Sequence, residues 1–272
     1  MRNVAIKLIL VFLCFTVCNF NLNAESVYDL EIKKDIVLST LTAGVFIFGG
    51  YIMNYELTIP ENLNIRDVNS LDRSFLFLYT SSFFNPTFFL RPLLFAAPFI
   101  TPLIMTNWDI QDGITGIARN NFTTWLTYGI MYGQATGLAY GTRQILGKAI
   151  TRYRPYHYLD ESLDYPVNAR SFPSGGTTIV FLPATFFSVT FSAEFPYSRW
   201  KIPVIVGSYT LAGTLAVFRM VGGDHFFTDV LAGAAIGAFS GWLIPTLHRR
   251  NKNDNNVSFY ITGNGALMSF RF

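Results

Sequence analysis

The sequence predicts an all-α integral membrane protein of about six transmembrane helices, and three observations carry that prediction. The first is composition. Of 272 residues, 51% are hydrophobic, 17% aromatic and only 14% charged, with a mean hydropathy of +0.33. Soluble domains carry roughly a quarter charged residues, so this chain has too little charge to cover a globule. The second is that apolar stretches recur at 36–55, 87–106, 122–146, 177–195, 202–221 and 226–247. Each is near the ~20 residues that cross a bilayer core as a helix. The third is the placing of Trp108, Trp200 and Trp242 near the ends of stretches, where aromatic belts form. The net charge is +3, with no basic stripe interleaved with aromatics, so no nucleic-acid partner is expected.

Along the chain, residues 1–24 carry Arg2 and Lys7 ahead of an apolar run and end in Leu22-Asn23-Ala24. That is the pattern of a secretory signal peptide, with an N-terminal membrane anchor as the alternative. Cys14 and Cys18 both fall inside it, so a processed chain has neither a disulfide nor a thiolate metal site. Residues 25–250 form one membrane-embedded domain, with no polar linker and no repeat. Before the second span, "NLNIRDVNSLDRSFLFLY" places Ile65, Val68, Leu71 and Phe75 at helical spacing. A short amphipathic helix lying on the membrane surface fits this, and so does a solvated loop. The tail, 251–272, breaks two β-branched and aromatic runs at Gly263-Asn264-Gly265, which is hairpin chemistry.

Three polar islands stand at span ends: "GKAITRYRPYHY" (147–158), "SFPSGGTTIVF" (171–181) and "FRMVGGDHFFTD" (218–229). Spans alternate in direction, so the end of the third, the start of the fourth and the fifth–sixth junction share one membrane face. Lys148, Arg152, Arg154, Arg170 and Arg219 gather there, and the arginine fork suits phosphate oxygens. Ser174-Gly175-Gly176 offers backbone N–H groups at a helix start, where the dipole also favours an anion. His225 and Asp229 are four apart and share a helix face, so the carboxylate could hold one ring nitrogen and free the other. Singly, each feature also reads as a cap, a snorkelling anchor or a structural hydrogen bond.

Together these islands resemble the motifs of the type 2 phosphatidic acid phosphatase / vanadium haloperoxidase superfamily over about residues 122–247. That family shows a lysine followed by Arg-Pro, then Pro-Ser-Gly-His, then Ser-Arg followed by histidine and aspartate. The counterparts here are Lys148 with Arg154-Pro155, Pro173-Ser174-Gly175-Gly176, and Phe218-Arg219 with His225 and Asp229. The resemblance implies a helical membrane bundle that removes phosphate from a lipid phosphate or diphosphate without metal or cofactor. It implies that His225 attacks phosphorus to form a phosphohistidine and that Asp229 orients it. It further implies that Lys148, Arg154, Ser174, the Gly175 amide and Arg219 hold the phosphoryl oxygens. Its partners would be the lipid substrate and the bilayer.

Three positions depart from the pattern. Gly176 replaces the histidine that protonates the leaving alcohol, Phe218 replaces a serine, and Lys148 stands one residue too close to Arg-Pro, with Gly147 at the usual place. General-acid help is worth roughly 10²–10⁴-fold, so an acid at 176 is expected to speed alkyl phosphates more than aryl ones. His157 is another source of a proton. The alternatives are an impaired relative that binds phospholipid or a partner, and an anion transporter. A vanadate-dependent oxidase, soluble in that family, ranks last. Lys33-Lys34, Arg199, Lys201 and "HRRNK" (248–252) lie opposite the islands. The positive-inside rule then places the site on the periplasmic face of a bacterial-type inner membrane. A cleaved leader followed by three spans would place it inside.

Overall fold

The computed structural model describes residues 26–53, 63–80, 96, 99–107, 122–159, 170–250, 257–262 and 265–270. Residues 1–24, and with them the expected leader, lie outside that set. The long elements are α1 (Ile32–Met53), α4 (Phe122–Ala149), α6 (Gly175–Glu194), α7 (Lys201–Val221) and α8 (Phe227–Leu247). Shorter ones are α2 (Ser70–Ser74), α3 (Ile100–Asn107) and α5 (Pro155–Leu159). The protein is a multi-pass helical membrane bundle. Among the described residues four helices, α1, α6, α7 and α8, are long and apolar enough to cross a bilayer. The fifth, α4, has 28 residues and so reaches ~42 Å, beyond a ~30 Å hydrocarbon core. Of the stretch expected at 87–106, residues 96 and 99–106 are among the described residues, and α3 takes up most of them.

The stretch expected as one amphipathic helix is instead three short turns: a 3₁₀ turn at Ile65–Asp67, α2, and a second 3₁₀ turn at Leu76–Leu78. Asn64 and Asn69 cap the first two through their side chains. Each asparagine competes for backbone donors and restarts the chain, which breaks the periodicity into separate turns. In the tail, Val257–Thr262 pairs antiparallel with Gly265–Phe270.

Helix α6 is the axis of the bundle. Its inner side packs Leu182 and Phe186 against Tyr128, Met131 and Tyr132 of α4 and Ile244 of α8. Its other side packs Val180 and Ala184 against Ala212 and Leu215 of α7. Lipid-facing apolar residues remain exposed on α1 (Ile36, Val37, Leu41, Phe48) and α7 (Ile202, Val206).

Helices α6 and α8 approach closely because glycines recur every four residues on α8. A Cβ at Gly233 would lie 2.4 Å from the Ser174 carbonyl oxygen, one at Gly237 2.5 Å from that of Thr178, and one at Gly241 2.5 Å from that of Leu182. Small residues at this spacing let membrane helices touch backbone to backbone. Gly237→Leu should therefore force the pair apart and cost at least the ~1–3 kcal/mol typical of overpacking. The check is a clearly lowered thermal midpoint in detergent relative to wild type; an unchanged midpoint would refute the close-packed seam.

The seam also fixes the register of the two helix starts. The Ser174 N–H donates to the Asp229 carbonyl at 3.0 Å. Both N-termini thus lie at one end of the bundle, beside the C-termini of α4 and α7. The opposite end holds the start of α1 and the ends of α6 and α8. There His248 Nε2 meets Asp35 at 2.6 Å, and Tyr28 bridges to Arg249.

Candidate active site

Helix α7 ends at Val221, and Gly223 turns the chain with φ +68°, a left-handed conformation that glycine adopts without strain at a helix end. That turn carries His225 back over Arg219. The His225 ring is almost wholly buried and has two partners. Its Nδ1 lies 2.7 Å from the Ser171 carbonyl oxygen, and its Nε2 lies 3.2 Å from Arg219 Nη2. A carbonyl only accepts and a guanidinium only donates. The proton is therefore on Nδ1, and Nε2 carries a lone pair facing Arg219. Burial, then the charges of Arg219, Arg154 and Arg143, push the His225 pKa well below its usual value against the opposing Ser171 bond. The ring is neutral at physiological pH.

The expected Asp229–His225 hydrogen bond is absent among the described residues. Asp229, fully buried, takes the Ser171 hydroxyl, the Phe226 N–H at 2.8 Å and Arg152 Nη1 at 2.7 Å. Its grip on the imidazole is indirect: Asp229 holds Ser171, and the Ser171 carbonyl holds Nδ1–H. Accepting the Phe226 N–H also caps α8 from its first turn.

Arg152 spans two carboxylates, Asp229 and Asp72, and lies 4.1 Å from the centre of the Phe226 ring. Asp72, from α2, accepts from the Thr228 N–H at 2.8 Å and the Thr228 hydroxyl at 2.7 Å. Burial alone would raise the Asp72 pKa, but bonds from Arg152 and Thr228 outweigh it and hold the carboxyl below the usual range. The surface segment is thereby clamped to the start of α8.

Arg154 and Arg219 share one carboxylate. Asp224 accepts from Arg154 Nη1 at 2.9 Å and lies 2.8 Å from Arg219 Nη1. The two oxygens of Asp224 are thus held as two phosphoryl oxygens would be. Ser174 caps α6, accepting from the Thr177 N–H at 3.3 Å and the Thr177 hydroxyl at 2.9 Å; its own hydroxyl proton is not used in those bonds.

The two glycines of the second island face guanidiniums. A Cβ on Gly175 would lie 3.1 Å from Arg143 Nε, and one on Gly176 would lie 2.9 Å from Arg219 Nε. Arg143 also donates to the Pro173 carbonyl at 3.3 Å. Sequence reasoning missed Arg143. The available signal was helical: Arg143 and Gly147 are four apart and share a face, so a longer side chain one turn earlier can serve the position that Gly147 vacates.

Of the residues expected at the site, the structure brings Arg154, Ser174, Gly175, Arg219, His225 and Asp229 to one end of the bundle. Lys148, half-buried in the last turn of α4, is five positions from Arg143 and so roughly 140° around the helix from it. His157 lies between Tyr153 and Tyr156, with ring centroids 6.5 and 4.4 Å away. Burial and then Arg154 lower its pKa, which makes it a poor proton store. Among the described residues no group of three or more His, Cys, Asp or Glu is placed to hold a metal.

Comparison with known proteins follows the same residues. The family model described as the PAP2 superfamily matches residues 128–253, a segment that contains the whole cluster except Asp72. The chain is similar to a lipid A 1-phosphatase of Porphyromonas gingivalis, 36% identical over 75 residues. The match covers 28% of this chain and 16% of that protein, so it spans a small part of the relative's length. Two solved structures are similar. One is a transmembrane PAP2-type phosphatidylglycerolphosphate phosphatase from Bacillus subtilis, 18% identical, TM-score 0.42, covering 89% of this chain and 94% of that one. The other is LpxE of Aquifex aeolicus, 20% identical, TM-score 0.40, covering 67% of this chain and 98% of that one.

Proposed function

We propose that this chain, whose residues 128–253 match the PAP2 superfamily model, is a membrane lipid phosphatase working through a phosphohistidine. The observation that carries the reading is the fixed tautomer of His225: Nδ1–H rests on a carbonyl and the Nε2 lone pair faces an arginine. In the first step Nε2 bonds to phosphorus and the lipid oxygen leaves with its electron pair. Arg154, Arg219, Ser174 and the Gly175 amide hold the phosphoryl oxygens as charge develops. Asp229 acts as a positioning residue through Ser171. Water then attacks phosphorus, and the P–Nε2 bond breaks with its electron pair returning to Nε2. Inorganic phosphate departs, and the proton lost by water balances the one the leaving oxygen takes from solvent. Residue 176 has no proton to give the leaving oxygen, so a phosphate leaving group or an aryl oxygen suits the site better than an alkoxide.

The lipid-facing helices and the site at the bundle end suit a substrate whose head group stays at the bilayer surface. The basic residues Lys33, Lys34, Arg199, Lys201, Arg249 and Arg250 lie toward the other end. By the positive-inside rule that end is cytoplasmic and the site periplasmic. The test is phosphate release from phosphatidate, phosphatidylglycerophosphate, a prenyl diphosphate and lipid A by the full chain in vesicles. Failure on all four would remove the reading.

The depressed His225 pKa gives a further expected result. The neutral ring is the nucleophile, so activity is retained as pH falls and is lost only when His225 protonates. The acid limb of kcat/KM should lie below the ordinary histidine value of about 6.5. A pH–rate profile with that limb above 6.5 would contradict the geometry around His225.

A further inference from the structure

We propose that Arg143, rather than Lys148, is the cation that α4 supplies to the bound phosphoryl group. For its activity readout this rests on the phosphatase reading; its binding readout does not.

The first line of argument is helical. Tyr132 of α4 packs on Phe186 of α6 with ring centroids 5.2 Å apart, and Tyr132, Thr136 and Tyr140 line one cleft with Thr178, Ile179 and Leu182 of α6. Positions 132, 136, 140, 143 and 147 form one stripe at three- and four-residue spacing. Arg143 is the cation on that stripe, and Lys148 is off it.

The second line is steric. Arg143 Nε, Cζ and Nη2 lie 3.1, 3.2 and 3.4 Å from the Cβ position of Gly175. Its guanidinium therefore rests directly on the start of α6, beside the amide expected to hold a phosphoryl oxygen. A side chain at 175 would push it away. The bond from Nε to the Pro173 carbonyl fixes its approach and leaves the terminal nitrogens as donors.

The third line is electrostatic. Arg143 is among the three arginines whose charge reaches His225, with Arg219 and Arg154. The groups facing His225 are thus these three cations and the Ser171 carbonyl, with Asp224 between Arg154 and Arg219.

The experiment compares wild type, Arg143→Ala, Arg143→Gln, Arg143→Lys and Lys148→Ala, each as the full chain in detergent. Affinity for orthovanadate, a phosphoryl mimic, is measured beside phosphate release. Arg143→Ala should lower kcat/KM by about 10²-fold, the range for one lost oxyanion donor. It should also weaken vanadate binding at least tenfold. Arg143→Gln can still donate to Pro173 but carries no charge, and should show the same losses, so failure of the alanine variant to fold leaves the test intact. Removing the positive charge should raise the His225 pKa and move the acid limb to higher pH on the same substrate. Arg143→Lys should restore the limb and most of the binding. Lys148→Ala should lose at least tenfold less than Arg143→Ala. An active wild type matched by Arg143→Gln in rate, vanadate affinity and acid limb would overturn the assignment, as would an equal or larger loss in Lys148→Ala; either leaves the phosphatase reading standing. A wild type that releases no phosphate, yet loses vanadate binding through Arg143→Gln, would overturn the phosphatase reading and support the anion site.

Discussion

His225→Ala should reduce phosphate release by roughly 10⁴-fold or more, the scale seen when an enzyme loses its covalent nucleophile. The substitution deletes the atom expected to bond to phosphorus. It should leave the anion-holding groups in place, because Arg143 is anchored on Pro173, and Arg154 and Arg219 on Asp224. Vanadate should still bind within a few-fold of wild type, although the covalent contribution of the histidine is gone. Rapid quenching of wild type with labelled substrate should trap an acid-labile, base-stable phosphoryl-protein, and His225→Ala should trap none. Equal phosphate release by the two proteins would reject His225 as nucleophile. No release by either, with vanadate or phospholipid still bound, would identify a phosphate-binding protein without phosphatase activity.

The bundle was legible in the sequence because span length and alternating direction are properties of single stretches. Parity alone placed Arg154, Ser174, Arg219 and His225 at one end, where the structure has them. What the sequence could not show is mostly long-range pairing. Asp72 reaches Thr228 across 156 positions, and nothing local to "NSLDRS" marks it as a partner of α8. Asp229 four residues after His225 suggested a direct bond, but Asp229 is also the N3 residue of α8 and bonds back to the Phe226 N–H. That local bond, with those to Ser171 and Arg152, takes the carboxylate away from the ring. Spacing along the chain hides Arg143, because it stands eleven residues before Arg154 rather than at the motif position. Counted around the helix, positions 143 and 147 are neighbours. The amphipathic helix expected over residues 65–75 had the right spacing, but capping by Asn64 and Asn69 was stronger than the periodicity.

Gly176→Ala should lower kcat/KM by about 10²–10³-fold on every phosphate substrate, the scale of one lost oxyanion donor. From the sequence, Gly176 is only an absent acid, and histidine there should help. The structure gives the glycine a second role. A Cβ at 176 would sit 2.9 Å from Arg219 Nε and 3.1 Å from its Cδ. Arg219 is the residue whose Nη2 faces His225 Nε2 and whose Nη1 is tied to Asp224. Any side chain at 176 must displace this guanidinium, and the expected loss is that of its alignment on both partners. Gly176→His therefore combines two opposed effects: the same loss of Arg219, and a general acid worth roughly 10²–10⁴-fold on a poor leaving group. Gly176→Ala measures the first effect alone, so the ratio of histidine to alanine variant isolates the second. That ratio should be about 10² on alkyl phosphates and near one on aryl phosphates, because an aryl oxygen departs without a proton. Against wild type, Gly176→His should roughly break even on alkyl substrates and lose on aryl ones. A Gly176→Ala protein as fast as wild type would show that Arg219 can move aside without consequence. A histidine-to-alanine ratio equal on alkyl and aryl substrates would show that residue 176 has no bearing on protonation of the leaving group.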